Sequence, residues 1–392
     1  MLKNIDMLEN RFYELYGGGE ASVFFSPSRI NIIGEHTDYN GGLVLPGAIE
    51  MGTCGVARKR PDHTLKMASA NVDLKVEIPV ENMAYDSGHG WANYVKGVIR
   101  EFDISGYVTG GMEILVGGDI PIGAGLSSSA SLEMLVGEML NSLFNGGRIS
   151  KTEMIRMCLN AENNFIGVMC GIMDQFAIGM GRKDKCILLD CDTQEYEYID
   201  FCMNGHVLVI MNTNKHRKLN ESKYNERRAQ CETALKEIRK HRDIRNLCQL
   251  SAGEFEEYGG DIGDPVIRNR ARHVVYENER VKKAADALKN GEIKTLGELI
   301  DQSHTSLRDL YEVTGPHLDS IVEAAAGHEG CIGARMTGGG FGGCAIAIVR
   351  KDRVDDFMRH VAGRYRDKTG FQADFYTTGI GDGARIITSH TL

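Results

Sequence analysis

A chain of 392 residues, 42% apolar and 25% charged, can bury a sizeable core and exceeds the length at which one core stops growing, so two domains are expected. Its net charge of −9 argues against nucleic acid as a main partner, because neutralising phosphates requires a basic surface.

In chain order, Met1-Leu2-Lys3-Asn4-Ile5-Asp6 offers no apolar signal region, and no later apolar run approaches the ~20 residues of a membrane span. Val23-Phe24-Phe25 reads as a short strand. It leads into Ser28-Arg29-Ile30-Asn31-Ile32-Ile33-Gly34-Glu35-His36-Thr37-Asp38-Tyr39-Asn40-Gly41-Gly42. Glu35, His36, Asp38 and Asn31 need partners if buried, and an external polyol would supply them. An Asx-rich surface turn between strands is the alternative. Trp91, the single tryptophan, heads Trp91-Ala92-Asn93-Tyr94-Val95-Lys96-Gly97, where packing is an equal reading. Met112-Glu113-Ile114-Leu115-Val116 is a further strand.

Pro121-Ile122-Gly123-Ala124-Gly125-Leu126-Ser127-Ser128-Ser129-Ala130-Ser131 runs into an apolar-periodic helix. Its glycines make the turn and its serines supply an N-cap, while free amides and the positive helix end suit an anion such as phosphate. A Walker A loop needs a lysine that this segment lacks, and Gly125-Leu126-Ser127-Ser128-Ser129 does not close the Gly-x-Ser-x-Gly elbow of serine hydrolases. A plain capped helix would look the same.

Asn160-Ala161-Glu162 is followed by Gly167 and then by Gly171-Ile172-Met173-Asp174-Gln175-Phe176. Asp174 sits among apolar residues, and an isolated buried charge costs several kcal/mol, about the scale found in real proteins. It is either a structural ion-pair member or a catalytic acid or base. Glu162 reads equally as a solvated helix-face residue. The ten cysteines form no C-x-x-C pair; Cys186 and Cys191 flank the apolar Ile187-Leu188-Leu189 as buried thiols rather than metal ligands. Reduced thiols without a targeting segment imply the cytoplasm.

Val207-Leu208-Val209-Ile210-Met211 reads as a strand, followed by an amphipathic helix from about Glu221 to Lys240 that carries Tyr224. A second helix runs from about Val266 to Asn290 and stops at Gly291. Met336-Thr337-Gly338-Gly339-Gly340-Phe341-Gly342-Gly343-Cys344 precedes Ala345-Ile346-Ala347-Ile348-Val349. A dinucleotide loop follows a strand and precedes a helix, whereas here a loop precedes a strand. A bulge or hairpin entry is the plainer reading. The alternation of short strands and helices gives a mixed α/β or α+β chain, with a soft boundary near residue 195.

The segment Ser28–Gly42 resembles the sugar-binding signature of the galactokinases, within the GHMP small-molecule kinase superfamily. The segments Pro121–Ser131 and Met336–Cys344, with Trp91–Gly97 between the first two, extend the resemblance nearly end to end. Ser28 departs from the usual Gly, and Gly339 from the usual Ala.

This resemblance implies an α+β fold with an amino-terminal domain over 1–195, a ferredoxin-like carboxy-terminal domain over 196–392 and an active site in the cleft between them. It implies an ATP- and magnesium-dependent sugar 1-kinase acting on galactose, with a monomer as the favoured state. Asp174 and Arg29 take the catalytic positions; Glu35, His36, Asp38, Gly171, Asp174 and Tyr224 take the sugar positions. Gly123, Gly125, Leu126, Ser127, Ser128, Ser129 and Trp91 fall to the nucleotide, and Ser129 with Glu162 to magnesium. A related kinase for another sugar, N-acetylgalactosamine or arabinose, or a silent galactose sensor are the rivals. Sensors of that kind lack residues of the second motif, which Ser129-Ala130 retains here.

Overall fold

The computed structural model describes residues 2–121, 123–215 and 220–390. A six-stranded sheet has the spatial order Arg385–His390, Ala21–Asn31, Pro46–Lys59, Met112–Gly118, Thr64–Ser69, Val76–Pro79. Its pairings are antiparallel except that of Thr64–Ser69 with Met112–Gly118. One face packs on helices Ala92–Ile104, Ser128–Asn145, Lys151–Asn160 and Met173–Met180 through Val95, Phe102, Leu135, Met139, Ile155 and Phe176. Helix Leu2–Tyr16 covers other sheet side chains with Ile5, Leu8 and Phe12.

A second sheet of four antiparallel strands has the order Cys331–Met336, Cys344–Arg350, His206–Asn212, Asp374–Thr378. Helices Asn220–Ile238, Pro265–Lys289, Gly315–Ala326 and Val354–Thr369 bury Ala234, Val274, Ile321, Phe357 and Val361 in its core. The two long helices expected from periodicity are therefore present at nearly the expected bounds. Pro265–Lys289 begins on Asp264, whose carboxylate accepts from the Val266 and Ile267 amides, with Pro265 at its first turn. Gly291, the expected stop, has φ of 72°.

A shared core joins the two sheets: Ile30, Ile32, Leu45 and Ile49 meet Leu208, Ile210, Cys344 and Ile346, with Ala124 and Leu126 among them. This contact holds the strand ending at Asn31, the loop at Gly125 and the loop at Gly338 side by side. The last strand, Arg385–His390, returns from the second half to pair with Ala21–Phe25.

Candidate active site

A cavity of about 300 Å³ opens where these loops converge. Its lining includes Arg29, Glu35, His36, Asp38, Gly123, Gly125, Ser127, Ser128, Ser129, Glu162, Gly171, Asp174 and Tyr224. The residues singled out from four separated stretches of sequence therefore meet, with two exceptions. Leu126 is buried in the shared core, and its contribution is the carbonyl that accepts the Ser28 hydroxyl. Trp91 does not line this cavity; it packs against the first core, and its indole nitrogen is buried without a hydrogen-bond partner among the described residues.

Arg29 comes from the end of a buried strand and Asp174 from the first turn of its helix. The guanidinium donates from Nε to Asp174 Oδ1 at 2.8 Å and from Nη2 to Oδ2 at 2.9 Å, and Nη1 reaches the Gly125 carbonyl at 3.2 Å. This is the bidentate fork that makes arginine–carboxylate pairs strong. Burial opposes the Arg29 charge, yet Asp174 together with Glu35 and Asp38 raises its pKa on balance. Ser127 donates to Asp174 Oδ2.

That last bond changes the expected role of the serines. Ser127 occupies the N-cap position of Ser128–Asn145 in a left-handed conformation, φ 54° and ψ 49°, and makes no capping bond. Its hydroxyl is engaged by Asp174, so the helix start keeps unpaired amides for an anion. Gly123 and Gly125 adopt φ of 74° and 73°, which a glycine enters at no steric cost. Gly338 packs so closely that a Cβ there would lie 2.7 Å from the Gly125 carbonyl oxygen.

Ser129 donates to Glu162 Oε1 at 2.9 Å. The other oxygen of Glu162 accepts from Gln175 at 2.6 Å and from the Cys170 thiol at 3.4 Å. Gln175 also donates to the fully buried Glu133 at 3.0 Å. Burial, followed by the neighbouring Asp174 carboxylate, pushes the Glu162 pKa up. Glu162 is thus a buried, aimed carboxylate and not a solvated helix-face residue.

Within the sugar segment, Glu35 is satisfied by the chain itself. Its carboxylate pairs with the fully buried Arg335 and accepts from Asn31 Nδ2 at 2.9 Å, the Gly338 amide at 2.9 Å and Thr337 Oγ1 at 3.3 Å. The idea that a polyol must supply its partners overlooked Arg335, about 300 positions away. Burial raises the Glu35 pKa, and Arg335 offsets part of that. Asp38 makes no ion pair among the described residues, and burial followed by the Asp174 charge pushes it up to about 7, with Arg29 offsetting only part of the rise. Gly171 makes room for it: a Cβ at Gly171 would lie 2.2 Å from Asp38 Oδ2.

His36 sits at φ 65°, and burial drives its pKa well below the usual histidine value. Its ring stands against Tyr39, Tyr224 and Tyr311 with centroids 5.8, 5.6 and 4.7 Å away. Arg335, Tyr311, Ser127's bond to Asp174 and Gln175 escaped the sequence reading. The adjacency of Gln175 to Asp174 was the one available local signal.

Comparison with known proteins agrees with this geometry. The galactokinase galactose-binding signature matches residues 10–59, the GHMP kinases N terminal domain 93–182 and the GHMP kinases C terminal 284–367. The galactokinase of Clostridium tetani is 53% identical, covering 97% of each chain. That of Clostridium beijerinckii is 51% identical over 98% of this chain and 100% of its own. The crystal structure of Lactococcus lactis galactokinase complexed with galactose superposes with a TM-score of 0.96 at 46% identity, covering 98% of this chain and 100% of that one. A mevalonate kinase at 16% identity and a TM-score of 0.66 shares the fold alone. A chain so similar over nearly its whole length belongs to the galactokinase family of GHMP kinases.

Proposed function

We propose that this chain transfers the γ-phosphoryl group of ATP to the anomeric C1 hydroxyl of D-galactose, giving α-D-galactose 1-phosphate and ADP. The observation that carries the reading is the Arg29–Asp174 fork lying between the glycine-serine loop and the polar cluster of Glu35, His36 and Asp38. Asp174 accepts the C1 hydroxyl and takes its proton as the new oxygen–phosphorus bond forms. Arg29 holds that carboxylate in place and offsets charge on the transferring group. The amides from Gly123 to Ser129 cradle the phosphates, so positioning and electrostatics supply most of the catalysis. Asp38, His36, Glu35 and Tyr224 read the sugar, with Gly171 clearing the space. The resemblance assigns Trp91 to the nucleotide base, although it packs against the first core and does not line this cavity.

Ser129 and Glu162 present a pair of oxygen donors to the cavity, which suits magnesium with its preference for oxygen ligands, retained waters and nucleotide phosphates. Magnesium takes its remaining ligands from waters and nucleotide phosphates, so these two would suffice as its protein ligands. The ion, when bound, neutralises phosphate charge.

No described helix is long and apolar enough to cross a membrane. The ten free thiols support a reducing compartment, the cytoplasm.

A coupled assay across free sugars with ATP tests the reading. Galactose is the preferred substrate, and glucose, whose inverted C4 hydroxyl leaves a polar partner unpaired, loses ~1–3 kcal/mol. Comparable kcat/KM for the two sugars removes the assignment.

A further inference from the structure

A file of hydroxyl and thiol groups runs from His36 away from the cavity into the carboxy-terminal half. His36 Nδ1 stands 2.8 Å from the Tyr39 hydroxyl, which stands 2.7 Å from the Tyr311 hydroxyl, which stands 3.1 Å from Cys231 Sγ. Tyr311 and Cys231 are buried. With Nδ1 engaged, the remaining polar atom of the imidazole is Nε2. It is buried, has no hydrogen-bond partner among the described residues, and belongs to a side chain lining the cavity.

We infer that Tyr39, Tyr311 and Cys231 are positioning residues that hold His36 as its neutral Nε2–H tautomer, so that the imidazole meets galactose as a hydrogen-bond donor. The claim deepens the reading of His36 as a sugar contact and rests on it. The direction of the file follows from the chemistry of its ends. A phenol is the better donor and an imidazole nitrogen the better acceptor of the pair at 2.8 Å, so Tyr39 donates to Nδ1. With its proton committed, Tyr39 accepts from Tyr311. The file ends on a thiol, a weak acceptor that has a proton to give.

The surroundings hold the ring neutral. Burial above all, and then His273, Arg227 and Arg335, disfavour an imidazolium, with Glu277 opposing them. Burial keeps all three remaining groups protonated: the pKa of Cys231 is pushed up to about 11, and those of Tyr39 and Tyr311 rise as well. A neutral imidazole has one N–H, and a filled Nδ1 lone pair places it on Nε2.

The test is a long-range ¹H–¹⁵N correlation spectrum of the ligand-free, ¹⁵N-labelled chain at about pH 7, with His36 assigned through His36→Gln. The expected pattern is an unprotonated Nδ1 with a protonated Nε2. An Nδ1–H pattern or an imidazolium overturns the inference. Tyr39→Phe removes the donor, so the ring should become a tautomer mixture and the galactose KM should rise about tenfold, the worth of one hydrogen bond, while the ATP KM stays put. Tyr311→Phe, one step further along, should move both readouts less and in the same direction, and it serves if Tyr39→Phe does not fold. An unmixed Nε2–H signal in both folded variants overturns the positioning role. Galactose added to the parent chain should shift the Nε2 resonance. No shift overturns the donor role and the sugar-contact reading together, whereas the tautomer is judged on the ligand-free spectrum alone.

Discussion

At the scale of the residue, the site separates carboxylates by what surrounds them. Asp174 has a guanidinium fork, Glu35 has Arg335, and Asp38 has neither. Asp174→Asn keeps the shape and most hydrogen bonds while removing the charge that we propose receives the hydroxyl proton. Turnover should fall by ~10² to 10⁴, and Arg29→Ala should fall by ~10² or more, with galactose binding by Asp174→Asn retained. Near-normal kcat in a folded Asp174→Asn chain ends the assignment. Asp38 makes a pH prediction. Its carboxyl, pushed up to about 7 by burial and then by Asp174, keeps its proton in the folded chain where an unfolded chain has released it above about pH 4. The stability from that proton is full below about pH 4 and is lost as the pH rises through about 7. Asp38→Asn never ionises, so its melting temperature relative to the parent should climb between about pH 5 and pH 8. A difference that stays flat over that range contradicts the assignment. For the parent, galactose kcat/KM should rise through the same range as the carboxylate that accepts a sugar hydroxyl appears.

At the scale of the element, each piece of the site is a loop whose shape a strand or helix end imposes. The Gly171 loop leads into Met173–Met180 and lies against Asp38, where a methyl group has no room. Gly171→Ala should therefore displace Asp38 and lower galactose kcat/KM by about 10²-fold, the scale of a 1 Å misplacement, while the ATP KM changes little. An unaltered galactose KM would show that this loop yields freely. Ser28 illustrates a departure from the family pattern acquiring a partner: its hydroxyl ties the sugar strand to the Leu126 carbonyl in the phosphate loop. These loops were legible in the sequence because each is a local pattern of glycines and polar residues between apolar runs, and the two long helices were legible through periodicity. The residues that complete the site were not. Tyr39 and Tyr311 touch across 272 positions, and an intervening helix pattern says nothing of that contact. Ser127 looked like a cap because a serine before a helix ordinarily caps it; only the approach of Asp174 redirects its hydroxyl. Trp91 fits its motif yet packs against the core, since a motif fixes a position along the chain and not the cavity that it faces.

At the scale of the molecule, a division near residue 195, which we propose, leaves two halves whose ties include the shared core, the returning strand Arg385–His390 and the pair Glu35–Arg335. The pair is the most demanding of these. Both side chains are essentially inaccessible, at 1% and 0% exposure, so each charge has lost its hydration and depends on the other. Arg335 also donates to the carbonyls of Asn31 and Ile32, at 3.2 and 3.1 Å, where the sugar strand ends. Arg335→Met leaves a buried carboxylate without its counter-ion and should cost ~3–5 kcal/mol in denaturant unfolding. A double variant with Glu35→Leu removes the stranded charge as well and should recover part of that loss, though not all, because the Ile32 carbonyl and the Asn31 and Gly338 donors that Glu35 accepted from lose their partners. Galactose use should fail in both variants, so stability is the informative readout. With its ties spread across both halves, the parent should unfold in one transition seen alike by near-ultraviolet and far-ultraviolet dichroism. A single variant within ~1 kcal/mol of the parent, a size typical of exposed ion pairs, would mean that the pair does not hold the sugar strand to the second sheet.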